Sequence, residues 1–192
     1  MKGLLFSEPM VKAWMAGNKT VTRRLMNPQP VGIYKGVAFA YKMGPLVKII
    51  KPRYRPGEKV YIKETWRETW SGGSPDHGYE VGVEYRARLD VSHGYMGKTA
   101  KVPEMHHGYK LTKSGRAAWR SPRFMFEWAS RSHARIISVR PERVQEITNT
   151  EAVKEGFPFQ PLSNFQSIWE SLHPGSWERN DWVWRIELEK MS

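Results

Sequence analysis

Short segments of alternating polar and apolar residues constrain the fold of this chain more than any other feature. Residues 58–66 and the closing residues 182–189 alternate in this way, and a period of two residues predicts strands. Helical periodicity is confined to a region near the start and to two short regions before the last strand. Strands and helices therefore do not succeed one another as in a doubly wound sheet. The pattern predicts an α+β fold, built as a small mixed β-barrel with flanking helices.

The first helix is predicted between Ser7, which can cap its start, and Gly17, which can end it. Two capping boxes, at residues 148–151 and 163–166, predict the later helices. Gly156 ends the first of these, so Glu155 falls in its last turn, where the helix dipole disfavours a negative charge. That position indicates a further role for Glu155.

The remaining segments differ in how strongly their composition predicts structure. Residues 20–25, 79–89 and 133–140 are predicted as strands. Residues 31–55 indicate loop or weak strand, and the Gly- and Ser-rich residues 71–79 a flexible loop. Residues 90–118 show no pattern and are predicted to be a long, mobile insertion. The absence of a Gly-rich loop between a strand and a helix excludes Rossmann and P-loop chemistry.

The charge balance predicts a polyanionic partner. The 192 residues include 31 Lys or Arg and 19 Asp or Glu, a formal net charge of +12. On this charge balance nucleic acid is a better candidate than a membrane surface. No run approaches the about 18 apolar residues of a membrane span, so no transmembrane segment is predicted. The chain has no cysteine, which excludes disulfides, thiolate catalysis and Cys-type zinc sites. We expect a cytoplasmic protein of one domain, residues 1–192.

A dense polar cluster follows the first predicted helix. Residues 17–24 contain one lysine, two threonines and two arginines, and Val21 is the only clearly apolar side chain among them. Such a cluster suits an anionic ligand, or an amine and a hydroxyl acting together on an acyl group. A solvated strand edge is the alternative interpretation.

Glu64 is predicted on the apolar face of the strand at 58–66, together with Trp66. A buried carboxylate requires a cationic or hydrogen-bonding partner, which Lys19 or an arginine could supply. A salt bridge that closes the mouth of the barrel and a role in a site are equally compatible with this position.

Basic and aromatic residues are interleaved between residues 110 and 140. Eight Lys or Arg lie there with a single acid, Glu127. Arginines beside aromatic rings are typical of surfaces that stack nucleic-acid bases, although an ordinary basic loop has the same composition. The predicted nucleic-acid contacts, including one from the first cluster, are Arg23, Trp119, Arg123, Trp128 and Arg131.

The histidines give no metal-site pattern. The chain has six of them, but no His-x-His or His-x3-His pair and no carboxylate at a completing spacing. A Gly-x-Ser-x-Gly nucleophile elbow is also absent. We expect neither a metal nor another cofactor.

Taken in order, several motifs resemble the ASCH domain, a PUA-like β-barrel superfamily associated with RNA and modified nucleotides. They are Gly17-x-Lys19-x-x-x-x-Arg24, Pro-Gly-Glu before a strand, and Ala152-x-x-Glu155-Gly156 on a late helix. Lys63-Glu64-Thr65-Trp66, Trp128-Ala129-Ser130-Arg131 and Ser176-Trp177-Glu178 with Trp182-Val183-Trp184 are similar to features of phage and prophage members. The resemblance covers residues 1–25, 56–67 and 128–190. It implies insertions at about 26–55 and 68–127.

Small bacterial ASCH proteins include amidohydrolases that remove the acetyl group from 4-acetylcytidine, and others reported as ribonucleases. By motif position, the resemblance implies Lys19, Thr22 and Glu155 as catalytic residues. It implies Arg24, with Glu64 and Trp66, as substrate-binding residues. Arg23 departs from the pattern, because the minimal enzymes have an apolar residue there.

The implied chemistry uses Lys19 as base toward the Thr22 hydroxyl, which attacks the acyl carbon, while Glu155 positions the lysine or protonates the leaving nitrogen. Burial and neighbouring arginines would lower the pKa of Lys19. On an ideal strand Lys19 and Thr22 would point to opposite faces. The mechanism therefore requires Lys19 to lie in the turn before the strand begins.

Two classes of function fit the sequence. The first is hydrolysis of an acylated cytidine, or cleavage of RNA, in a pocket at the barrel mouth. The second is a non-catalytic module that binds RNA or DNA and holds a modified or flipped base in the same pocket. In the second case the arginines contact phosphates while Trp119 or Trp128 stacks on a base.

Overall fold

The computed structural model describes residues 1–41, 47–74, 78–87, 99–101 and 118–191. Within them the chain is mixed α+β, with a strand-rich core and few helices. The strands are β1 (Lys2–Leu5), β2 (Val21–Leu25), β3 (Gly32–Tyr34), β4 (Val37–Tyr41), β5 (Val47–Ile50), β6 (Lys59–Lys63), β7 (Trp66–Ser74), β8 (Gly78–Tyr85), β9 (Thr99–Lys101), β10 (His133–Arg143) and β11 (Trp182–Met191). The α-helices are α1 (Glu8–Met15), α2 (Asn149–Lys154) and α3 (Pro161–Leu172).

The described chain groups into two compact units. The first comprises Met1–Met15 and Val60–His133, and the second comprises Ala16–Lys59 and Ala134–Ser192. No helix of the described residues has both the length and the apolar character needed to cross a membrane. The single domain with two insertions stays a prediction.

In the first unit, β1 pairs in parallel with β6, and α1 follows β1 as predicted. Val11 and Trp14 of α1 are each 1% exposed, and the Trp14 indole N–H donates to Ser132 Oγ at 2.7 Å. The face of this helix that carries these apolar side chains is therefore buried. Gly17, at φ +80°, has the left-handed conformation typical of a helix-ending glycine.

The predicted strand at 58–66 is divided between β6 and β7. Glu64 and Thr65 lie between them, because Trp66 begins a new antiparallel ladder opposite Tyr85. Trp66 also exchanges backbone hydrogen bonds with Arg120. The prediction of a loop at 71–79 is wrong for residues 71–74, where β7 continues past a bulge through its glycines, and for residues 78 and 79, which begin β8. Residues 75–77 lie outside the described residues.

The strands β7, β8 and β9 form an antiparallel sheet in the first unit, in which β7 pairs with β8 and β8 with β9. Its aromatic residues pack against the segment that follows residue 118. The core on this sheet consists of Trp66, Val83, Tyr85, Met125 and Ala129, with Trp128 packed against it. Most residues of the predicted insertion at 90–118 lie outside the described residues, but Thr99–Lys101 is a strand rather than a loop.

In the second unit, β10, β11 and β2 are adjacent in that order, and all three were predicted as strands. β11 pairs antiparallel with β2, so that Trp184, Arg185 and Ile186 lie opposite Arg24, Arg23 and Thr22. This register fixes which side chains of β2 share a face.

Residues 31–55, predicted as loop or weak strand, contain three short strands that form an antiparallel sheet, β3–β4–β5, with loops between and after them. A two-residue hairpin loop, Lys35-Gly36, joins β3 to β4 with both residues at positive φ (48° and 77°). Such loops match the twist of the strands they join. Because the strands are short and alternate weakly, the sequence did not indicate that they pair into a sheet.

The two late helices begin differently. At α2 the Thr148 hydroxyl accepts from the Glu151 backbone N–H at 3.2 Å, as the sequence predicted. The predicted Ser163 cap is wrong, since α3 begins at Pro161, two residues earlier. Proline at the first helical position has a φ suited to the helix and lacks an N–H that would need a partner.

The strand pairings of the described residues form open sheets and no closed barrel. The predicted α+β class is confirmed at this level. The PUA-like barrel is taken up as a proposal below.

Candidate functional site

Lys19 and Glu155 form a buried ion pair in the second unit. Lys19 Nζ donates to Glu155 Oε2 at 2.7 Å and to the carbonyl oxygens of Glu155 and Val21, both at 2.8 Å. The Lys19 side chain is 0% exposed and that of Glu155 2%. An ammonium has three protons to donate, and these three acceptors account for all of them.

Backbone hydrogen bonds hold this pair in place. The Thr20 N–H donates to the Lys154 carbonyl at 2.9 Å, and the Leu188 N–H donates to the Thr20 carbonyl at 2.8 Å. The segment before β2 is thereby joined to the end of α2 and to β11. Lys19 precedes the first residue of β2, which is the placement that the proposed chemistry requires.

Burial lowers the pKa of Lys19, because removing the ammonium from water disfavours its charged form. The Glu155 carboxylate opposes this shift, and the positive charges of Arg24 and Arg23 add to it. The cations also explain how Glu155 is accommodated at the end of a helix, where the helix dipole disfavours a negative charge.

Arg23 lies among three carboxylates. Its Nε donates to Glu142 Oε1 at 2.6 Å, and its terminal nitrogens donate to Glu155 Oε1 at 3.2 Å and Glu151 Oε2 at 3.3 Å. Arg185 adds a bond from Nε to Glu151 Oε2 at 2.8 Å. The Arg23 side chain is only 1% exposed, so the predicted phosphate contact would require its release from these partners.

Together these residues form what we call the ion-pair network. It has three cations and three carboxylates, and the more exposed Arg140, Lys154 and Glu187 make further ion pairs with them. These attractions offset part of the cost of placing the charges in the interior. Its members are Lys19, Arg23, Arg185, Glu142, Glu151 and Glu155.

Thr22 and Arg24 project from the opposite face of β2 to Arg23, because successive side chains of a strand alternate. Thr22 is 2% exposed and Arg24 is half-buried. Burial lowers the pKa of Arg24, and the charges of Tyr54 and Glu155 oppose this. Arg24 in turn contributes, after burial, to a lowered pKa of His173. Arg24 is therefore electrostatically close to both Glu155 and the buried Tyr54.

Glu64 is partnered in the first unit by Arg131. Two parallel bonds join them, Arg131 Nε to Glu64 Oε1 at 2.8 Å and Nη2 to Oε2 at 2.7 Å. The guanidinium also lies 4.2 Å from the centre of the Tyr85 ring. Burial raises the pKa of Glu64, and the Arg131 hydrogen bonds oppose the rise. The cationic partner expected for Glu64 is thus Arg131.

Trp66 is a core residue, with 0% of its surface exposed. Trp128 meets its ring edge-on at 6.0 Å and stacks on Phe126 at 6.3 Å with an interplanar angle of 11°. A substrate contact by Trp66 would require these rings to move. Its predicted role as a substrate-binding residue stays a prediction.

The first unit also has an exposed aromatic and basic surface. We call Trp119, Arg123, Phe124 and Phe126 the aromatic–arginine surface. Its rings are 36%, 67% and 43% exposed, in that order, and the Arg67 guanidinium lies 4.3 Å from the centre of the Trp119 ring. Rings of this exposure can stack on bases.

Sequence analysis missed two groups of residues. Glu142, Glu151 and Arg185 complete the ion-pair network, but only the folded chain brings them together. The second group lies in residues 31–59, where seven Lys or Arg accompany a single acid, Glu58. A charge count over that window would have found it.

No group of three or more His, Asp or Glu side chains that could hold a metal ion occurs in the parts of the chain that the structure describes. His77, His93, His106 and His107 lie outside these parts.

Comparisons of the chain with protein-family models, with curated proteins and with solved structures found no match. The resemblance to ASCH proteins therefore rests on the sequence motifs.

Proposed function

We propose that this chain is a PUA-like protein of the ASCH type that binds nucleic acid, RNA in particular, in the cytoplasm. The supporting observation is the distribution of charge. The carboxylates of the ion-pair network and Glu64 are matched by buried or half-buried cations. The net charge of +12 is therefore carried by cations nearer the surface, some beside exposed rings.

The environment of Lys19 favours binding over catalysis. A general base must have a free electron pair and must reach the group that it deprotonates. Lys19 instead donates to three acceptors and is 0% exposed. In this arrangement Lys19 and Glu155 stabilise the fold, and exposed residues bind the nucleic acid.

Hydrolysis of an acylated cytidine is the second candidate, and one observation favours it. The two residues that the resemblance implies as the catalytic lysine and glutamate are 2.7 Å apart. Burial also shifts the pKa of Lys19 downward, the direction that a base requires. In this function a neutral Lys19 would take the proton of Thr22 as its hydroxyl attacks the acyl carbon, and the exocyclic nitrogen would leave with a proton from Lys19 or Glu155. Water would then hydrolyse the acyl-threonine, which releases acetate and restores the Thr22 hydroxyl.

Binding is tested by fluorescence anisotropy with a short labelled single-stranded RNA at about 50 and about 200 mM salt. We expect binding that weakens steeply as salt rises. Phe124→Ala should weaken binding, whereas Phe124→Tyr, which keeps the ring, should not. Absence of binding at the lower salt would refute the proposal.

Hydrolysis is tested by chromatography of 4-acetylcytidine after incubation with the protein. Thr22→Val removes the hydroxyl at nearly constant volume, and Thr22→Ser keeps it. Release of cytidine by the wild type and Thr22→Ser but not by Thr22→Val, with all three proteins folded by circular dichroism, would establish the second candidate. No release by a wild type that binds RNA would leave the binding function alone.

A further inference from the structure

The sheet β3–β4–β5 has two unlike faces. Ala38, Ala40 and Ile50 on one face are at most 8% exposed. The opposite face carries Tyr34, Val37 and Ile49, which are 68%, 44% and 55% exposed, and the half-buried Phe39. The described part of this sheet thus presents apolar and aromatic side chains to solvent.

Gly32 allows the Phe39 ring to lie flat on this outer face. The two residues are directly opposite in the ladder, and a Cβ atom at Gly32 would come within 2.8 Å of the ring. Glycine, which has no side chain, therefore leaves room for the Phe39 ring at this position. Phe39 and Tyr34 give the face two aromatic rings.

Exposed cations lie at the hairpin tip and after β5. Lys35 is at the tip, and Lys51 and Arg55 follow β5, whereas Lys48, opposite Ala40 in the ladder, lies on the other face of the sheet. Lys35, Lys48, Lys51 and Arg55 are exposed, and within the described residues none of them has an ion pair with an acidic side chain. The one acid of residues 31–59, Glu58, accepts a hydrogen bond from the Arg55 backbone N–H at 3.1 Å. The charge of this region is thus almost entirely positive.

The hairpin tip places a cation beside an exposed ring. Lys35 has φ +48°, a conformation that favours glycine or asparagine, and its Nζ lies 5.6 Å from the centre of the Tyr34 ring. A lysine in this conformation costs conformational free energy. The positive charge that it places at the hairpin tip can explain why a lysine is there despite this cost.

We propose that the outer face of β3–β4–β5 is a docking surface for single-stranded nucleic acid. Unpaired bases would stack on Tyr34 and Phe39, and phosphates would contact Lys35, Lys51 and Arg55. Charge complementarity supports this occupant over an apolar peptide, and exposed rings suit bases that are not already stacked in a duplex. The proposal rests on the proposed function and adds a surface separate in sequence from the aromatic–arginine surface.

The same stretch leads toward the ion-pair network. Tyr54, 5% exposed, follows the basic residues of β5 along the chain, and Tyr54 and Arg53 both act electrostatically on Arg24. Arg53 and Arg24 therefore contribute to one positive electrostatic environment, which favours a polymer with many phosphates over a free nucleoside.

The test compares two triple variants that remove equal charge. The first is Lys35→Gln, Lys51→Gln and Arg55→Gln, and the control is Lys12→Gln, Arg135→Gln and Lys190→Gln, three exposed cations outside the region. Binding of a labelled single-stranded RNA is measured by anisotropy over a range of salt. We expect the first triple to weaken binding by about tenfold or more and to lower the slope of log affinity against log salt by about 0.7 per lost contact. The control should change both much less.

Equal effects of the two triples, or unchanged binding by the first, would overturn this docking surface while leaving nucleic-acid binding intact. A wild type that binds no RNA would refute the proposed function itself. A wild type that binds anionic vesicles but not RNA would overturn both and indicate a lipid surface.

Stacking is tested with Tyr34→Ala against Tyr34→Phe, which keeps the ring. We expect about tenfold weaker binding for the alanine variant only, since stacking on one ring contributes at least this much. Equal affinity of both variants, or equal affinity of the wild type for a duplex of the same length, would contradict the assignment to single strands.

Discussion

Lys19 and Glu155 are 136 positions apart in the chain and meet with Nζ and Oε2 2.7 Å apart. The contact joins the segment before β2 to the end of α2. Both side chains have lost almost all contact with water. Their attraction, and the further bonds from Glu155 to Arg23, offset the cost of removing two charges from solvent.

Breaking this pair should destabilise the protein strongly. Lys19→Met removes the cation but keeps much of its volume, and it leaves the Glu155 carboxylate with Arg23 as its remaining cationic partner. We expect a loss of about 3 kcal/mol in the free energy of unfolding, measured with urea at pH 7. Lys12→Met, at an exposed i,i+4 pair with Glu8, should cost no more than about 0.5 kcal/mol. Similar losses for both variants would argue against a structural role of the buried pair.

The free energy of unfolding should fall at acid pH because Glu151 is paired in the folded protein and not in the unfolded chain. Hydrogen bonds from Arg185 are the main cause that lowers the pKa of Glu151 to about 2, from an ordinary value of 4.5. Between these values the unfolded chain takes up a proton that the folded protein does not, so stability is lost as the pH falls through this window. Above it, the contribution is fully present.

Glu151→Gln removes this contribution. In urea titrations between pH 7 and pH 2, the difference in unfolding free energy between wild type and variant should be largest at neutral pH and should shrink as the pH approaches about 2. Parallel curves over this range would show that Glu151 is not the group responsible.

Arg131 should not tolerate replacement by lysine. A lysine cannot make the two parallel bonds to Glu64 or lie flat over the Tyr85 ring. We expect Arg131→Lys to cost about 1–3 kcal/mol in thermal or urea unfolding. Arg123→Lys, the same change at an exposed position, serves as control and should be within about 0.5 kcal/mol of wild type. A neutral Arg131→Lys would mean that charge alone satisfies Glu64.

The cap of α2 should affect the ion-pair network, because this helix carries Glu151 and ends at Glu155. Thr148→Ala removes the hydroxyl that accepts from the Glu151 N–H and should cost about 1 kcal/mol. Thr150→Ala, inside the same helix and exposed, should be neutral or slightly stabilising. The measurement is urea unfolding of the three proteins side by side, and an equal cost of both substitutions would exclude capping as the cause.

Local patterns in the sequence predicted the elements around the site well. The Thr148 cap of α2 and the strands β2, β10 and β11 each depend on residues close together in the chain. Such signals come from backbone geometry and burial on one face, so they can be read before the fold is known. The strands β3, β4 and β5 were predicted only as loop or weak strand, because they are short and one face of their sheet is apolar yet exposed.

For the candidate site, sequence patterns identified the residue types: a lysine, a threonine and arginines behind the first helix, and a glutamate at the end of a later one. The partners of these residues depend on how the chain folds. The tertiary structure paired Lys19 with Glu155, engaged Arg23 with three carboxylates, and gave Glu64 to Arg131 rather than to Lys19. The physical reason is that a buried charge takes whichever opposite charge the packing of distant elements brings within hydrogen-bonding distance, and sequence separation carries no record of that packing.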